Sequence, residues 1–333
     1  MKHYTIPVFI PELACPFQCI YCDQHKISGK DAIPGKEQVL QNIEEHLATF
    51  PKKKRKVELG FFGGNFTGLP LDEQEAFLSL AQPFIENGQI NGIRLSTRPD
   101  YINDEVLEML ARNSVTTIEL GAQSMDDEVL KLSARGHTVS DVISASRHIK
   151  NKGFRLCLQI MLGLPGDSLQ KARHTAQSIS DLGAHETRIY PTLVIKGTQL
   201  EIMYRERAYE PLSLEDAIQW TKEVLKIFEA SGVKVLRTGL HPSDGLLDGK
   251  DLIAGPFHQS FKELVLTEIW YEQLKRLIHS NARKVHIFVP PKELNWAIGY
   301  EAKNKKYLLE HFEYVVFQTD ATLSGRKFHA DYY

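Results

Sequence analysis

The sequence predicts an α/β fold in which parallel strands form a partial (β/α)6 TIM-like barrel, followed by a small α+β extension. Short apolar runs alternate with amphipathic stretches six times along the chain, and parallel neighbours need helical crossovers of this kind. The last part of the chain mixes strands and helices in another order, and 333 residues suit one large and one small domain. We therefore expect a barrel over residues 1–240 and an extension over residues 241–333.

The six apolar runs are interpreted as the barrel strands, because each is short enough for a buried strand. In such barrels the reactive groups gather where strands end and loops begin, at the carboxyl edge. The residues that follow each run are therefore the first candidates for a site. The runs are residues 4–10 (YTIPVFI), 57–62 (VELGFF), 93–97 (IRLST), 117–121 (TIELG), 155–162 (RLCLQIML) and 187–191 (TRIYP).

The stretches between the runs carry apolar residues at helical spacing and are interpreted as outer helices. Asp72 is the expected cap of the second of these helices. Ser213 with Asp216 forms a capping box that opens the sixth. The first five are expected at about residues 39–47, 71–87, 103–112, 138–152 and 168–182. The extension is expected to hold a helix at about residues 259–280, strands at 284–289 and 314–319, and short helices around Leu294 and Tyr307.

Charge and hydropathy exclude some classes of protein. Lys plus Arg number 40 and Asp plus Glu 42, for a net charge of −2, so the chain is not basic all over and a nucleic-acid contact would need a local patch. No apolar run reaches the roughly 18 residues of a membrane helix, and no charged and apolar leader opens the sequence. We expect a cytoplasmic protein with no membrane partner and no DNA partner.

The most informative segment is ELACPFQCIYCDQ, in which Cys15, Cys19 and Cys22 have a CxxxCxxC spacing. A structural zinc site usually needs a second ligand pair, whereas the remaining Cys157 lies alone in an apolar run. A disulfide framework is disfavoured by the low cysteine count. Three thiolates in a compact loop favour an iron-sulfur cluster, and a four-iron cluster would keep one iron open.

This pattern, with Tyr21 before the last cysteine, resembles the radical S-adenosylmethionine (SAM) superfamily. The resemblance implies that Cys15, Cys19 and Cys22 ligate a [4Fe-4S] cluster whose fourth iron chelates SAM. Reductive cleavage of SAM then yields a deoxyadenosyl radical that abstracts a hydrogen atom from a substrate. It also implies that Tyr21 packs near the adenine and that an electron donor such as a flavodoxin or ferredoxin is a partner.

Residues at the ends of the predicted strands are candidates for SAM binding. Gly63 and Gly64 allow close backbone approach to a ligand, and with Asn65 they resemble the superfamily motif that binds the methionine amino group. Hydroxyls, amides and a guanidinium suit a ribose and a carboxylate. The further candidates are Ser96, Thr97, Arg98, Gln123, Gln159 and Gly163.

The phrases STRPDYI, ELGAQS, RGHT, LGLPGD and YPTLVIKGT together resemble the branch that contains the catalytic subunit of Elongator. The barrel of that subunit modifies the wobble uridine of tRNA, which makes tRNA a candidate partner. About 90 residues follow the predicted barrel, which is too few for an acetyltransferase domain, so we expect a short form without one. Tyr190, Lys196 and His137 are the candidate catalytic residues.

Two other functions remain open at this point. A related radical enzyme could act on a tetrapyrrole or another small metabolite, as coproporphyrinogen dehydrogenases of the same superfamily do. Alternatively, the cysteines could bind a metal only for stability, in a non-catalytic RNA-binding protein.

Overall fold

The computed structural model describes residues 2–10, 19–23, 26–27, 33–240, 243–279 and 282–333. Cys15 lies outside these described residues. Among the described helices, none combines the length and apolar character that crossing a membrane requires.

The main sheet has seven parallel strands and curls into a half-barrel. The predicted fold class is confirmed. The strands of this part are β1 (Lys2–Ile10), β2 (Arg55–Gly63), β3 (Ile93–Thr97), β4 (Val115–Gln123), β5 (Arg155–Leu162), β6 (Glu186–Pro191), β7 (Val194–Ile195), β8 (Lys234–Thr238) and β9 (Leu252–Ala254). The order in the main sheet is β1-β2-β3-β4-β5-β6-β8, and β7 and β9 form a separate antiparallel pair.

Amphipathic helices connect these strands and bury one face each against the sheet. In the first helix, Val39, Ile43 and Leu47 are buried at the helical spacing that the sequence predicts. The helices of this part are α1 (Lys36–Thr49), α2 (Leu71–Ser79), α3 (Gln82–Glu86), α4 (Asp104–Arg112), α5 (Asp127–Leu132), α6 (Val139–Asn151), α7 (Leu169–Asp181), α8 (Gln199–Arg205), α9 (Leu214–Ala230) and α10 (Asp244–Leu247).

Side-chain caps begin several of these helices where the sequence indicates. Asn103 accepts a hydrogen bond from the Val106 amide, and Ser213 accepts one from the Asp216 amide. Thr138 forms a full capping box with Asp141 at the start of α6. Each such bond satisfies an amide that the helix itself leaves unpaired.

Several details differ from the sequence-based prediction, which also lacks the strands β7 and β9 and the helices α5, α8 and α10. The sheet contains a seventh strand, β8, that the sequence analysis does not predict. Its residues are mostly half-exposed, and it has no continuous apolar run. The expected helix at residues 71–87 is two helices, α2 and α3, separated at Leu80 and Ala81. Asp72 does not cap the first of them, because Pro70 occupies the cap position and Asp72 already lies in the first turn.

The extension contains helices α11 (Phe261–Leu274), α12 (Leu294–Ile298) and α13 (Lys303–Leu309) and strands β10 (Lys284–Val289), β11 (Tyr314–Thr319) and β12 (His329–Tyr332). Strand β10 pairs parallel with β11 and antiparallel with β12. Helix α11 contributes Phe261 to the barrel core and Trp270 to a second core under this small sheet. The domain boundary at residue 240 stays a prediction.

Candidate functional site

A cavity of about 960 Å³ occupies the inside of the half-barrel. Residues from all seven strands of the main sheet line it, from His3 near the amino end of β1 to Gly63 and Gly64 at the carboxyl end of β2. Cys19 and Cys22 line the same cavity. Two of the three predicted metal ligands, Cys19 and Cys22, therefore share one space with the barrel interior.

Toward the amino end of the sheet, Arg94 of β3 faces three carboxylates from three other strands. Its guanidinium lies 3.3 Å from Glu58 of β2 and 3.2 Å from Glu119 of β4, and it pairs with Glu186 of β6. All four residues are at most 3% exposed. In so dry a place, leaving any one of these charges without a partner would be costly. A single cation thus joins four strands of the barrel.

Glu58 stays ionised because several positive groups surround it. His3 lies 2.9 Å and Lys56 3.1 Å from its carboxylate oxygens. Burial acts to raise the pKa of Glu58, but the hydrogen bond from His3 and the charge of Arg94 outweigh it and lower this pKa to about 2. The carboxylate is therefore charged at neutral pH.

The next layer of the interior is a hydrogen-bonded network around Glu119. Arg188 of β6 donates from Nε and Nη2 to the two carboxylate oxygens of Glu119, at 2.8 and 3.1 Å. Gln159 of β5 donates to the same carboxylate at 3.1 Å and to Ser96 Oγ at 3.3 Å. The Arg188 guanidinium also lies 5.2 Å from the centre of the Phe62 ring. These contacts fix the orientations of Ser96 and Gln159, two of the residues predicted to bind SAM.

The cysteines lie on a tight turn, in which the Cys22 amide donates to the Cys19 carbonyl at 3.0 Å. Cys19 is buried and Cys22 is half-buried. Tyr21, which lies between the two cysteines in the sequence, is buried and lines the cavity. Within the part of the chain that the structure describes, no third Cys, His, Asp or Glu completes a metal-binding group with this pair.

Arg135 connects the cysteine turn to the sheet. Its Nη1 donates to Cys19 Sγ at 3.3 Å, and its Nη2 donates to the Gly121 carbonyl at 2.7 Å. Arg98 holds it in turn by donating to the Arg135 carbonyl at 2.7 Å. A guanidinium that donates to a cysteine sulfur could also donate to that sulfur as a cluster ligand and balance its charge. The donor chemistry around Cys19 therefore fits an iron-sulfur cluster, and sequence reasoning had not assigned Arg135 to this role.

The glycine pair lies where the carboxyl ends of β1 and β2 meet. Gly63 has φ +115°, and a Cβ there would lie 2.3 Å from the Ile10 carbonyl oxygen. The Gly64 amide donates to that oxygen at 3.0 Å. Only glycine at position 63 allows the two backbones to come so close beside the cavity.

The other predicted SAM-binding residues divide between cavity lining and support. Asn65 is buried and accepts hydrogen bonds from Thr97 Oγ1 at 2.7 Å and from the Arg98 amide at 3.2 Å. The Gly163 amide donates to Asp167 Oδ2 at 2.9 Å, and its carbonyl accepts from Tyr209. Neither Asn65 nor Gly163 lines the cavity. Those that do, besides Tyr21 and the glycine pair, are Ser96, Thr97, Arg98, Gln123 and Gln159.

Of the three candidate catalytic residues, only Tyr190 lines the cavity. Lys196 is exposed, and its carbonyl accepts a hydrogen bond from Lys26 Nζ at 2.7 Å. His137 is buried outside the cavity lining, and burial together with the charge of Arg135 lowers its pKa to about 4. It is therefore neutral at pH 7.

The sequence contained a signal for the polar interior that the strand assignments did not use. Arg94, Glu119 and Arg188 each sit inside a run that was interpreted as a buried strand. Charged residues are rarely buried unless they are paired. Several of them in neighbouring strands therefore indicate an internal ion-pair network, although the partners follow only from the sheet order.

Family comparisons match most of the chain. The Radical SAM superfamily matches residues 10–179, and the Radical_SAM C-terminal domain matches residues 184–271.

Several curated proteins are similar in sequence. An uncharacterized protein of Methanocaldococcus jannaschii is 35% identical over 211 residues, which are 62% of this chain and 61% of that protein. The tRNA uridine(34) acetyltransferase of Methanocaldococcus infernus is 32% identical over 254 residues, 65% of this chain and 48% of the relative. Elongator complex protein 3 of Schizosaccharomyces pombe is 30% identical over 197 residues, 52% of this chain and 36% of the relative. The chain thus spans only part of the length of each.

Two solved structures illustrate the shared fold. Elp3 of Methanocaldococcus infernus, with an N-terminal deletion, gives a TM-score of 0.66 at 24% identity and covers 83% of this chain and 63% of its own. SuiB of Streptococcus suis gives a TM-score of 0.51 at 12% identity and covers 72% of this chain and 49% of its own. At such identities the likeness concerns the fold alone.

Replacing Arg94 by Met should destabilise the protein strongly, because three buried carboxylates would lose their common partner. We expect a loss of about 3–5 kcal/mol in the free energy of unfolding, measured by urea denaturation. The matched control is Arg283→Met, since Arg283 is exposed in its pair with Glu313 and such pairs contribute about 0–1 kcal/mol. Equal losses in the two variants would contradict the role given to Arg94.

Glu58 should make stability depend on pH in the acid range. Its pKa is lowered from 4.5 to about 2 in the folded chain, so its contribution is complete above pH 4.5 and is lost as the pH falls toward 2. Urea midpoints measured across this range should fall less steeply for Glu58→Gln than for the wild type. Parallel curves for the two proteins would count against the ionised Glu58.

Proposed function

The chain belongs to the radical SAM superfamily and is a radical SAM enzyme, and from this premise we propose that it cleaves SAM reductively and removes a hydrogen atom from a uridine in tRNA. The observation that carries the proposal is the single cavity lined by Cys19, Cys22 and the strand-end polar residues. Sequence similarity to tRNA uridine(34) acetyltransferases and to Elongator complex protein 3 supports a tRNA substrate. Membership in a superfamily of enzymes argues against the non-catalytic, metal-stabilised module.

In this proposal Cys15, Cys19 and Cys22 hold a [4Fe-4S] cluster, which supplies the electron that splits the sulfonium of SAM. Arg135 would hold the Cys19 sulfur in place for the cluster through its hydrogen bond to Sγ. An electron donor such as a flavodoxin or ferredoxin would reduce the protein in the cytoplasm, a compartment that keeps cysteines from being oxidised.

The binding of SAM is assigned to the polar residues at the carboxyl edge of the sheet. Gly63 and Gly64 would present their backbone groups to the methionine part of SAM. Asn65 fixes the neighbouring strand end by accepting hydrogen bonds from Thr97 and Arg98. Ser96, Thr97, Arg98, Gln123 and Gln159 then present hydroxyl, amide and guanidinium groups to the cavity.

The substrate is assigned to the remainder of the cavity. Tyr190 lines it, and burial raises the pKa of its hydroxyl, so the residue is a neutral hydrogen-bond donor at pH 7. The side chains of Lys196 and His137 do not line the cavity of the described residues, and we give them no catalytic step.

Anaerobic reconstitution tests the proposal. The wild-type protein should bind about four irons per chain and release 5′-deoxyadenosine on reduction with SAM. Cys19→Ala should abolish the release, whereas Cys157→Ala should retain it, because Cys157 is buried inside β5 and does not line the cavity. Stoichiometric zinc, or an iron-loaded protein that never releases deoxyadenosine, would overturn the enzyme mechanism.

The tRNA substrate needs its own test. Mass spectrometry of tRNA nucleosides from a deletion strain should show the loss of one modified uridine. An unchanged pattern would contradict the RNA substrate and favour the small-metabolite alternative.

A further inference from the structure

We propose that Arg237 of β8 binds a phosphate group of the substrate nucleotide inside the cavity. This inference rests on the proposed function and extends it by naming the anion that the barrel interior receives. It follows from the distribution of charge along the cavity wall.

In the described part of the barrel interior, the carboxylates of Glu58, Glu119 and Glu186 each have cationic partners. Glu119 takes both hydrogen bonds of Arg188 as well as the ion pair with Arg94. Glu186 has Arg94 on one side and Lys234 at 3.6 Å on the other. These acids are therefore neutralised by groups other than Arg237.

Arg237 has no carboxylate partner in the part of the chain that the structure describes. Its Nε donates to the Gly239 carbonyl at 3.1 Å, and among the described residues no carboxylate forms an ion pair with its guanidinium. The neighbours that act on its charge are Arg188, which repels it, and the Tyr190 hydroxyl. Burial and the charge of Arg188 lower the pKa of Arg237, although a guanidinium remains protonated at neutral pH. A half-buried cation in this setting gains from any anion that enters.

The position of Arg237 suits a substrate rather than SAM. In the paired strands β6 and β8, Arg188 lies opposite Arg237, so the two guanidiniums occupy one layer on the cavity wall. The polar residues assigned to SAM lie mainly on β2, β3 and β4, whereas β8 is the edge strand at the other end of the sheet. Tyr190 lines the cavity beside Arg237 and can donate to the same anion.

A phosphate fits this corner best. The planar fork of a guanidinium donates two parallel hydrogen bonds to phosphate oxygens. The Phe62 ring, already stacked with Arg188, also lines the cavity and offers an apolar surface for a base. A nucleotide supplies both groups in one molecule, in agreement with the uridine substrate proposed above.

Equilibrium dialysis of the reconstituted full chain, under anaerobic conditions, tests the inference with uridine 5′-monophosphate, uridine and inorganic phosphate as probes. The wild type should bind the monophosphate about tenfold more tightly than uridine, as a charge-assisted hydrogen bond predicts. Arg237→Gln should remove this preference, and Arg237→Lys should restore part of it. The matched control Arg283→Gln, on the exposed surface of the extension, should keep the full preference.

Several results would overturn the inference. One is an equal preference for the monophosphate in the wild type and in Arg237→Gln, or no preference in the wild type. Another is a loss of SAM affinity in Arg237→Gln with unchanged nucleotide binding, which would make Arg237 a ligand of the SAM carboxylate. Inorganic phosphate that binds as tightly as the monophosphate would likewise contradict a nucleotide site.

Failure of the proposed function gives a different result. Release of 5′-deoxyadenosine is measured on the same wild-type preparation, independently of the dialysis. Absent release with an intact monophosphate preference would overturn the SAM chemistry and leave the role of Arg237 standing.

Discussion

The buried guanidinium of Arg94 and the three carboxylates around it are the constraint on which the inside of the barrel depends. They tie β2, β3, β4 and β6 together where the core of most barrels is apolar. Such a network does little for stability compared with packed apolar groups. Its effect is to give the cavity fixed polar walls, because each carboxylate orients a further side chain.

The consequences pass from one layer of the interior to the next. Glu119 orients Arg188 and Gln159, and Gln159 in turn contacts Ser96 at the level assigned to SAM. Glu119 already pairs with Arg188. In the proposal above, the next cation on the cavity wall, Arg237, therefore binds the anion of the substrate. The apolar core between the sheet and the outer helices holds the strands together. The ion pairs inside the half-barrel orient the side chains that line the cavity.

The sequence predicted the parts of the fold that rest on local pattern. Apolar runs located six of the seven strands, and Ser213 with Asp216 located the start of α9. Strand β8 escaped because it lies at the edge of the sheet, where Lys234 and Arg237 interrupt the apolar pattern. A β-strand needs no continuous apolar run when one of its faces meets a polar cavity.

The sequence predicted only those parts of the candidate site that belong to recognisable motifs. Spacing pointed to the cysteines, and strand ends pointed to residues such as Ser96 and Gln123, whose binding roles stay predictions. The partners of Arg94 and the hydrogen bond from Arg135 to Cys19 join residues far apart in the chain, so they depend on tertiary structure. The most direct measurement is an anaerobic crystal structure of the reconstituted protein with SAM. We expect it to contain a four-iron cluster on Cys15, Cys19 and Cys22, with SAM in the cavity that Arg237 lines. A zinc ion on these cysteines, or SAM bound outside the half-barrel, would contradict this account.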